Sequence, residues 1–196
     1  MFSEAERSEL ILWQAVGRGR QRQPVQTREA PSLSSTDARR RMLQRPTSMT
    51  ARDPSHVDLG TNDFEVEDIE YKTEEGSQGW VPLKIIRPAQ KVNLGPFPVA
   101  ILLHPTGANK EFMVPMMAKF AKHGYLTASI DCRYHGSRAL RCADQRDLYE
   151  KSLVRAWKDG EERPFLLDNV WDLIHLLDYL ETRPDVDPHR IGMSGS

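Results

Sequence analysis

The chain has 196 residues, of which 39% are hydrophobic and 28% charged, enough for one domain with a sizeable core and short for two. Basic and acidic residues balance at 27 to 28, yet residues 1–55 hold 10 Arg, no Lys and 6 acids, a net of +4. The remaining 17 basic and 22 acidic residues give 56–196 a net of −5, so a basic leader precedes an acidic body. No apolar run approaches the roughly 18 to 20 residues of a membrane span, and the mean hydropathy of −0.58 predicts that part of the chain is solvated tail. Acids in Met1–Arg7 stand where a secretion signal needs positive charge. Cys132 and Cys142 have neither CxxC nor metal spacing, which argues against a disulfide framework or a zinc site. The expected location is the cytoplasm, with organelle import the alternative raised by the Arg and Ser richness of 17–52.

In chain order, Ser3-Glu4-Ala5-Glu6 reads as an N-cap with an acid three residues on, and Leu10, Ile11, Trp13, Ala15 and Val16 follow. This predicts a short amphipathic helix over 4–16, whose apolar face needs a partner. Residues 17–58 turn to Arg, Gln, Ser, Thr and Pro and read as an extended or disordered linker. No aromatics interleave with its arginines, so nucleic-acid binding is not expected. The organisation expected is therefore 1–60 as helix and linker, and 61–196 as the folded part.

Phe64–Lys72 and Trp80–Pro88 flank the turn-forming stretch Thr73–Gly79 and predict a β-hairpin. Its polar alternation and Pro82 suggest the antiparallel edge of a larger sheet. From Val99 the texture changes to continuous apolar strands separated by helical patterns. Val99–Leu103 and Tyr125–Ile130 predict buried strands, joined by a helix over Glu111–His123, which implies a parallel pair. Helices are predicted over Asp144–Lys158 and Pro164–Leu180, the latter with Leu166, Leu167, Val170, Trp171, Ile174, Leu177 and Leu180 at spacings of three and four. Arg190–Met193 predicts a third buried strand. The fold class is α/β.

Three motifs sit at the strand ends, where open α/β sheets build their sites. After the first buried strand comes His104-Pro105-Thr106-Gly107-Ala108-Asn109-Lys110. Gly107 gives backbone access, and amides of this loop, above all that of Thr106, suit a developing oxyanion. A phosphate loop fails on spacing, since Asn109 and Glu111 occupy the places of the required Gly and hydroxyl around Lys110. After the second comes Asp131-Cys132-Arg133-Tyr134-His135-Gly136-Ser137, where Asp131, Arg133 and His135 are read, with His104, as bracing the loops through hydrogen bonds and ion pairs. Cys132 is read as a small packed hydrophobe in preference to a redox thiol. The third is Arg190-Ile191-Gly192-Met193-Ser194-Gly195-Ser196, a strand running into Gly-x.

Taken together over 64–196, these three motifs resemble the α/β-hydrolase superfamily, in particular its dienelactone-hydrolase-like and prolyl-oligopeptidase-like serine esterases. The resemblance implies a partial hydrolase sheet, an antiparallel N-terminal hairpin followed by parallel strands with crossover helices, whose C-terminal half is missing. It implies that Thr106 and Gly107 belong to the oxyanion loop, Pro105 standing where the family usually has glycine, and that Gly195 is the first glycine of the nucleophile elbow. In one register Ser196 precedes the nucleophile; in a competing register Ser196 is the nucleophile. The family's acid and histidine would follow in the chain, so the resemblance implies an acyl-enzyme serine hydrolase in a longer form and an inactive 196-residue form. It implies a small-molecule ester or peptide substrate, and no metal or organic cofactor. The alternatives are a shortened non-catalytic isoform acting as a binding or regulatory module, and an unstable fragment.

Overall fold

The computed structural model describes residues 24–30, 63–89, 95–139, 148–160 and 164–195. The helix expected over 4–16, most of the linker and Ser196 lie outside them. A nine-residue strand β2 (Phe64–Lys72) and a nine-residue strand β3 (Trp80–Pro88) form the predicted hairpin, paired from Phe64↔Pro88 to Lys72↔Trp80. Within the segment read as linker, Thr27–Glu29 forms a short strand β1 antiparallel to β2. The continuous apolar runs become β4 (Phe97–Leu103), β5 (Leu126–Ile130) and β6 (Val186–Gly195). The sheet order is β1-β2-β3-β5-β4-β6.

β3 is therefore internal, not the edge that Pro82 suggested. The last β3–β5 pair is Leu83↔Ile130, and one residue further on the Pro82 carbonyl accepts from the Asp131 N–H at 3.1 Å. The N–H that proline lacks would face the Asp131 carbonyl, which accepts instead from Arg138 at 3.2 Å, so no acceptor is stranded.

The loop and helix between β4 and β5 begin as a 3₁₀ turn (Lys110–Met113), capped by the Asn109 side chain accepting from the Phe112 N–H at 3.2 Å. α1 (Val114–Lys122) continues from it with Pro in its first turn and Lys119 and Lys122 in its last, where they complement the helix dipole. Val114, Met117 and Ala121 recur at three and four and pack against Phe64, Ile86, Ala100 and Leu102 on one face of the sheet. A four-residue helix α2 (Gly136–Ala139) follows β5, and the zones predicted over 144–158 and 164–180 become α3 (Leu148–Asp159) and α4 (Phe165–Thr182).

α4 covers the other face. Its Leu176 and Leu180 join Tyr71, Leu83, Ile85, Ile101, Leu126 and Ile130 in the main cluster. Each such fully buried side chain contributes roughly 1.5–3 kcal/mol. Beyond the last turn of α4, Arg183 pairs with Glu67 of β2 at 2.8 Å and with Asp185 at 2.8 Å. That fork holds the Glu67 carboxyl below its ordinary range against the opposing effect of burial. Leu166, Leu167, Val170 and Trp171, all on the predicted apolar stripe, are exposed.

β6 departs from expectation too. It pairs parallel with β4, from Phe97↔Val186 to Leu103↔Gly195, but only Val186 is buried and Met193 is 47% exposed. A strand of apolar character reads as buried because parallel strands usually carry neighbours and helices on both sides. Among the described residues nothing flanks the outer edge of β6.

Candidate functional site

The chain runs from β4 to β5 on one side and returns to β6 on the other, so β4 is the strand from which the connections diverge. Its carboxyl end is the crevice where an open α/β sheet takes its ligands. His104, Thr106 and Gly107 lead out of that end. The Ala108 N–H donates to the Pro105 carbonyl at 3.0 Å, and Gly107, the third residue of this turn, has φ +83. That is type II geometry, which requires a residue free to adopt positive φ. Thr106 and Gly107 are exposed, and among the described residues the Thr106 N–H makes no hydrogen bond. Gly195 at the end of β6 is in register with Leu103, and a Cβ on it would lie 3.4 Å from the Leu103 Cβ. The Thr106 turn and the Gly195 end thus flank the same point.

Two side chains connect the β4 loop to the β5 loop. His104 is buried, its Nδ1–H donates to the Pro105 carbonyl at 2.9 Å, and its Nε2 accepts from the Cys132 N–H at 3.1 Å. Both roles require the neutral ring, and burial pushes the His104 pKa down in the same direction. Asp131, 1% exposed, accepts from the Lys110 N–H and the Ser137 N–H, each at 2.8 Å. Burial alone would raise its carboxyl. The Lys110 ammonium, with its Nζ 3.9 Å away, and these two amides hold it below the ordinary range instead. Burial would likewise lower the Lys110 ammonium, but Asp131 and Glu111 keep it above its usual value.

The carboxylate also dictates its neighbour. A Cβ on Gly136, whose φ is +51, would lie 2.4 Å from the Asp131 carboxyl atoms, so glycine alone fits. His135 donates from Nδ1 to the Arg133 carbonyl at 2.8 Å, and its ring lies 5.1 Å from those of both His104 and Tyr149. Arg133 donates its N–H to Asn169 at 2.9 Å and pairs with Glu74 at 2.7 Å and Asp168 at 3.5 Å. Cys132 is half-buried, and burial pushes its thiol up to about 11, far from thiolate chemistry.

Three residues that sequence reasoning missed hold this loop from beneath. Arg138 and Asp172 are fully buried and paired at 2.7 Å. Arg138 also donates to the Asp131 carbonyl at 3.2 Å and to that of Gln78. The Gln78 amide donates to the Arg138 carbonyl at 3.0 Å, and its Oε1 accepts from the Tyr134 N–H at 3.3 Å. Thr73 donates to the Asp172 carboxylate, and Tyr71 to its carbonyl, each at 2.8 Å. No sequence signal marked Asp172, which lies opposite the predicted apolar stripe of α4; the structure places it among the buried positions Phe165, Leu176 and Leu180, where a charge is found only when paired. Among the described residues no group of His, Cys, Asp and Glu is arranged to hold a metal ion, and no helix is long and apolar enough to cross a membrane.

No protein-family model and no curated protein matches the sequence. Solved structures do. Acetyl xylan esterase 1 from Thermoanaerobacterium sp. JW/SL YS485 aligns over 87% of this chain and 44% of its own, with a TM-score of 0.54 and 16% identity. A putative acetyl xylan esterase from Bacteroides fragilis NCTC 9343 aligns over 68% of this chain and 38% of its own, with a TM-score of 0.55 and 17% identity. The fold is a partial α/β-hydrolase sheet, as the three motifs implied. The chain is similar to these esterases in fold and spans less than half the length of each.

Proposed function

We propose that the chain is the N-terminal part of a serine hydrolase of the carboxylesterase kind, working through an acyl-enzyme. The observation that carries this reading is the exposed Thr106, whose N–H has no hydrogen-bond partner among the described residues, at the carboxyl end of β4 and flanked by the Gly195 end of β6. In this reading the Thr106 N–H is one oxyanion donor, and the amide following the nucleophile is the other. The nucleophile is the residue after Ser196, or Ser196 itself in the competing register. His104, Asp131, Arg133 and His135 are positioning residues that hold the two loops. His104 uses both ring nitrogens between the loops, and in the α/β-hydrolase order the acid and the histidine follow the nucleophile, so in this reading the general base and its orienting acid come from sequence beyond residue 196. The substrate is a small ester, with a peptide the alternative, and the esterase names of the fold neighbours favour the first. No metal or organic cofactor takes part, and the protein acts in the cytoplasm.

The test is a fluorophosphonate probe applied to the product translated through and beyond the Ser196 codon. Labelling of a serine within two residues of Gly195 is expected, and the 196-residue chain alone should not hydrolyse the corresponding esters. A longer product with no nucleophile in that window overturns the reading and leaves a binding or regulatory module in its place. In the labelled product, Thr106→Pro removes the proposed donor while suiting the second position of a type II turn. It should lower kcat by roughly 10²–10³-fold with little change in KM, whereas Thr106→Ala should not.

A further inference from the structure

α3 displays an apolar side that no other described residue covers. Leu153, Val154 and Trp157 are 38%, 48% and 89% exposed, and at 100° per residue they share one side of the helix. Beside them Lys151, Arg155 and Lys158, spaced by four and three, form a basic stripe. The helix joins the body through Tyr149 in its first turn, whose ring lies 5.1 Å from His135 and 5.2 Å from Phe165 of α4.

The complement of this surface is written in the chain itself. Ahead of the described residues the sequence carries Glu4, Glu6 and Glu9, then the apolar run Leu10–Trp13, then Ala15 and Val16. At helical spacing Glu6, Glu9, Trp13 and Val16 recur at three, four and three and share one face, acidic at one end and apolar at the other. The chain enters the fold on the correct side. The Lys72 N–H donates to the Gln26 carbonyl at 2.9 Å, and Val25 packs against the cluster that α4 covers. Thr73, next after β2, bonds Asp172 of α4 at 2.8 Å. Residues 17–24 span at most roughly 27 Å when extended, a reach comparable to the length of α4.

We propose that Ser3–Val16 docks on α3 as an amphipathic helix, with Trp13 and Val16 against Leu153, Val154 and Trp157 and the glutamates along the basic stripe. Docked there, the leader holds α3 against the rim of the candidate site, since Tyr149 stacks on His135. The docking stands independently of the hydrolase reading.

The full chain, prepared as an equal mixture of unlabelled and heavy-isotope copies, is treated with a zero-length carbodiimide, which joins carboxylates to lysine amines. Peptides joining Glu4, Glu6 or Glu9 to Lys151 or Lys158 within a single isotope are expected. Links of mixed isotope mean that a second copy occupies the surface, and they overturn intramolecular docking; absence of links between these segments overturns it too. As a second readout, Trp13→Asp in the full chain should speed amide exchange in α3 roughly tenfold while β4 and β5 keep their rates. Unchanged exchange in α3 overturns the proposal.

Discussion

The loop after β5 and the end of β6 lie on two sides of the same strand, and they are built in opposite ways. From Asp131 to Arg138 the Asp131 carboxylate, the His135 ring and the Arg138 guanidinium are each held by hydrogen bonds or an ion pair, most of them buried. β6, by contrast, is exposed along most of its length and is fixed by its ladder to β4. Loop positions in the first region are over-determined by charge and backbone amides. In the second, position depends on one neighbour. Of the two, only the loop after β5 is held by contacts beyond its own strand ladder.

Substitutions should expose this contrast, starting with the buried ion pair. Arg138→Ala leaves the buried Asp172 carboxylate only the more distant Arg133 guanidinium, its Nε 3.8 Å away, and Asp172→Ala strips the buried Arg138 of its counter-charge. Each should cost about 3–5 kcal/mol, read as loss of cooperative denaturant unfolding or a sharply lowered midpoint. A chain in which Arg138→Ala unfolds no more easily than wild type would break the comparison. Gly136→Ala places a Cβ against the Asp131 carboxylate at positive φ and should cost roughly 2–3 kcal/mol in the same measurement.

The pH dependence sharpens the same point. Asp131 is held below 3.8, so the unfolded chain binds the proton more readily and stability falls as pH drops through about 4 and below. His104 is held below 6.5 by burial. Its protonation favours the unfolded chain, so stability should be full above that value and decline as pH falls from about 6.5. His104→Gln, whose side-chain oxygen reaches the place of Nε2 and keeps an acceptor for the Cys132 N–H, should flatten the melting temperature between pH 7 and 5 relative to wild type. A slope unchanged by this substitution would remove His104 as its source. At the small end, Met193→Ser on β6 of this chain should change stability by no more than about 0.5 kcal/mol, because the side chain is already half in water.

How much of this was legible beforehand follows from what each signal is made of. The hairpin, the β4 and β5 strands and α4 appeared within one or two residues of their predicted bounds, because alternation, apolar continuity and spacing at three and four are local patterns that backbone geometry reads directly. The placement of β3 inside the sheet was not legible. Pro82 favours an edge unless the acceptor opposite it is satisfied from elsewhere, and here that depends on Arg138 reaching the Asp131 carbonyl, not on the hairpin. The strand at Thr27–Glu29 was missed because its short polar sequence has no periodicity; it is held by β2 and by Arg28 pairing with the buried Glu70.

What the sequence by itself determined is the set of elements, their order, and the loops that carry chemistry at the ends of β4, β5 and β6. Those follow from hydrophobic period and from glycine and proline chemistry acting over a few residues. Only the tertiary structure decided which groups His104 and Asp131 hold across the loops, that Arg138 finds its counter-charge 34 residues away in Asp172, and that β6 is exposed among the described residues. Each of these depends on groups far apart in the chain meeting, or failing to meet, in a dry interior. There the cost of an unpaired charge exceeds any local preference.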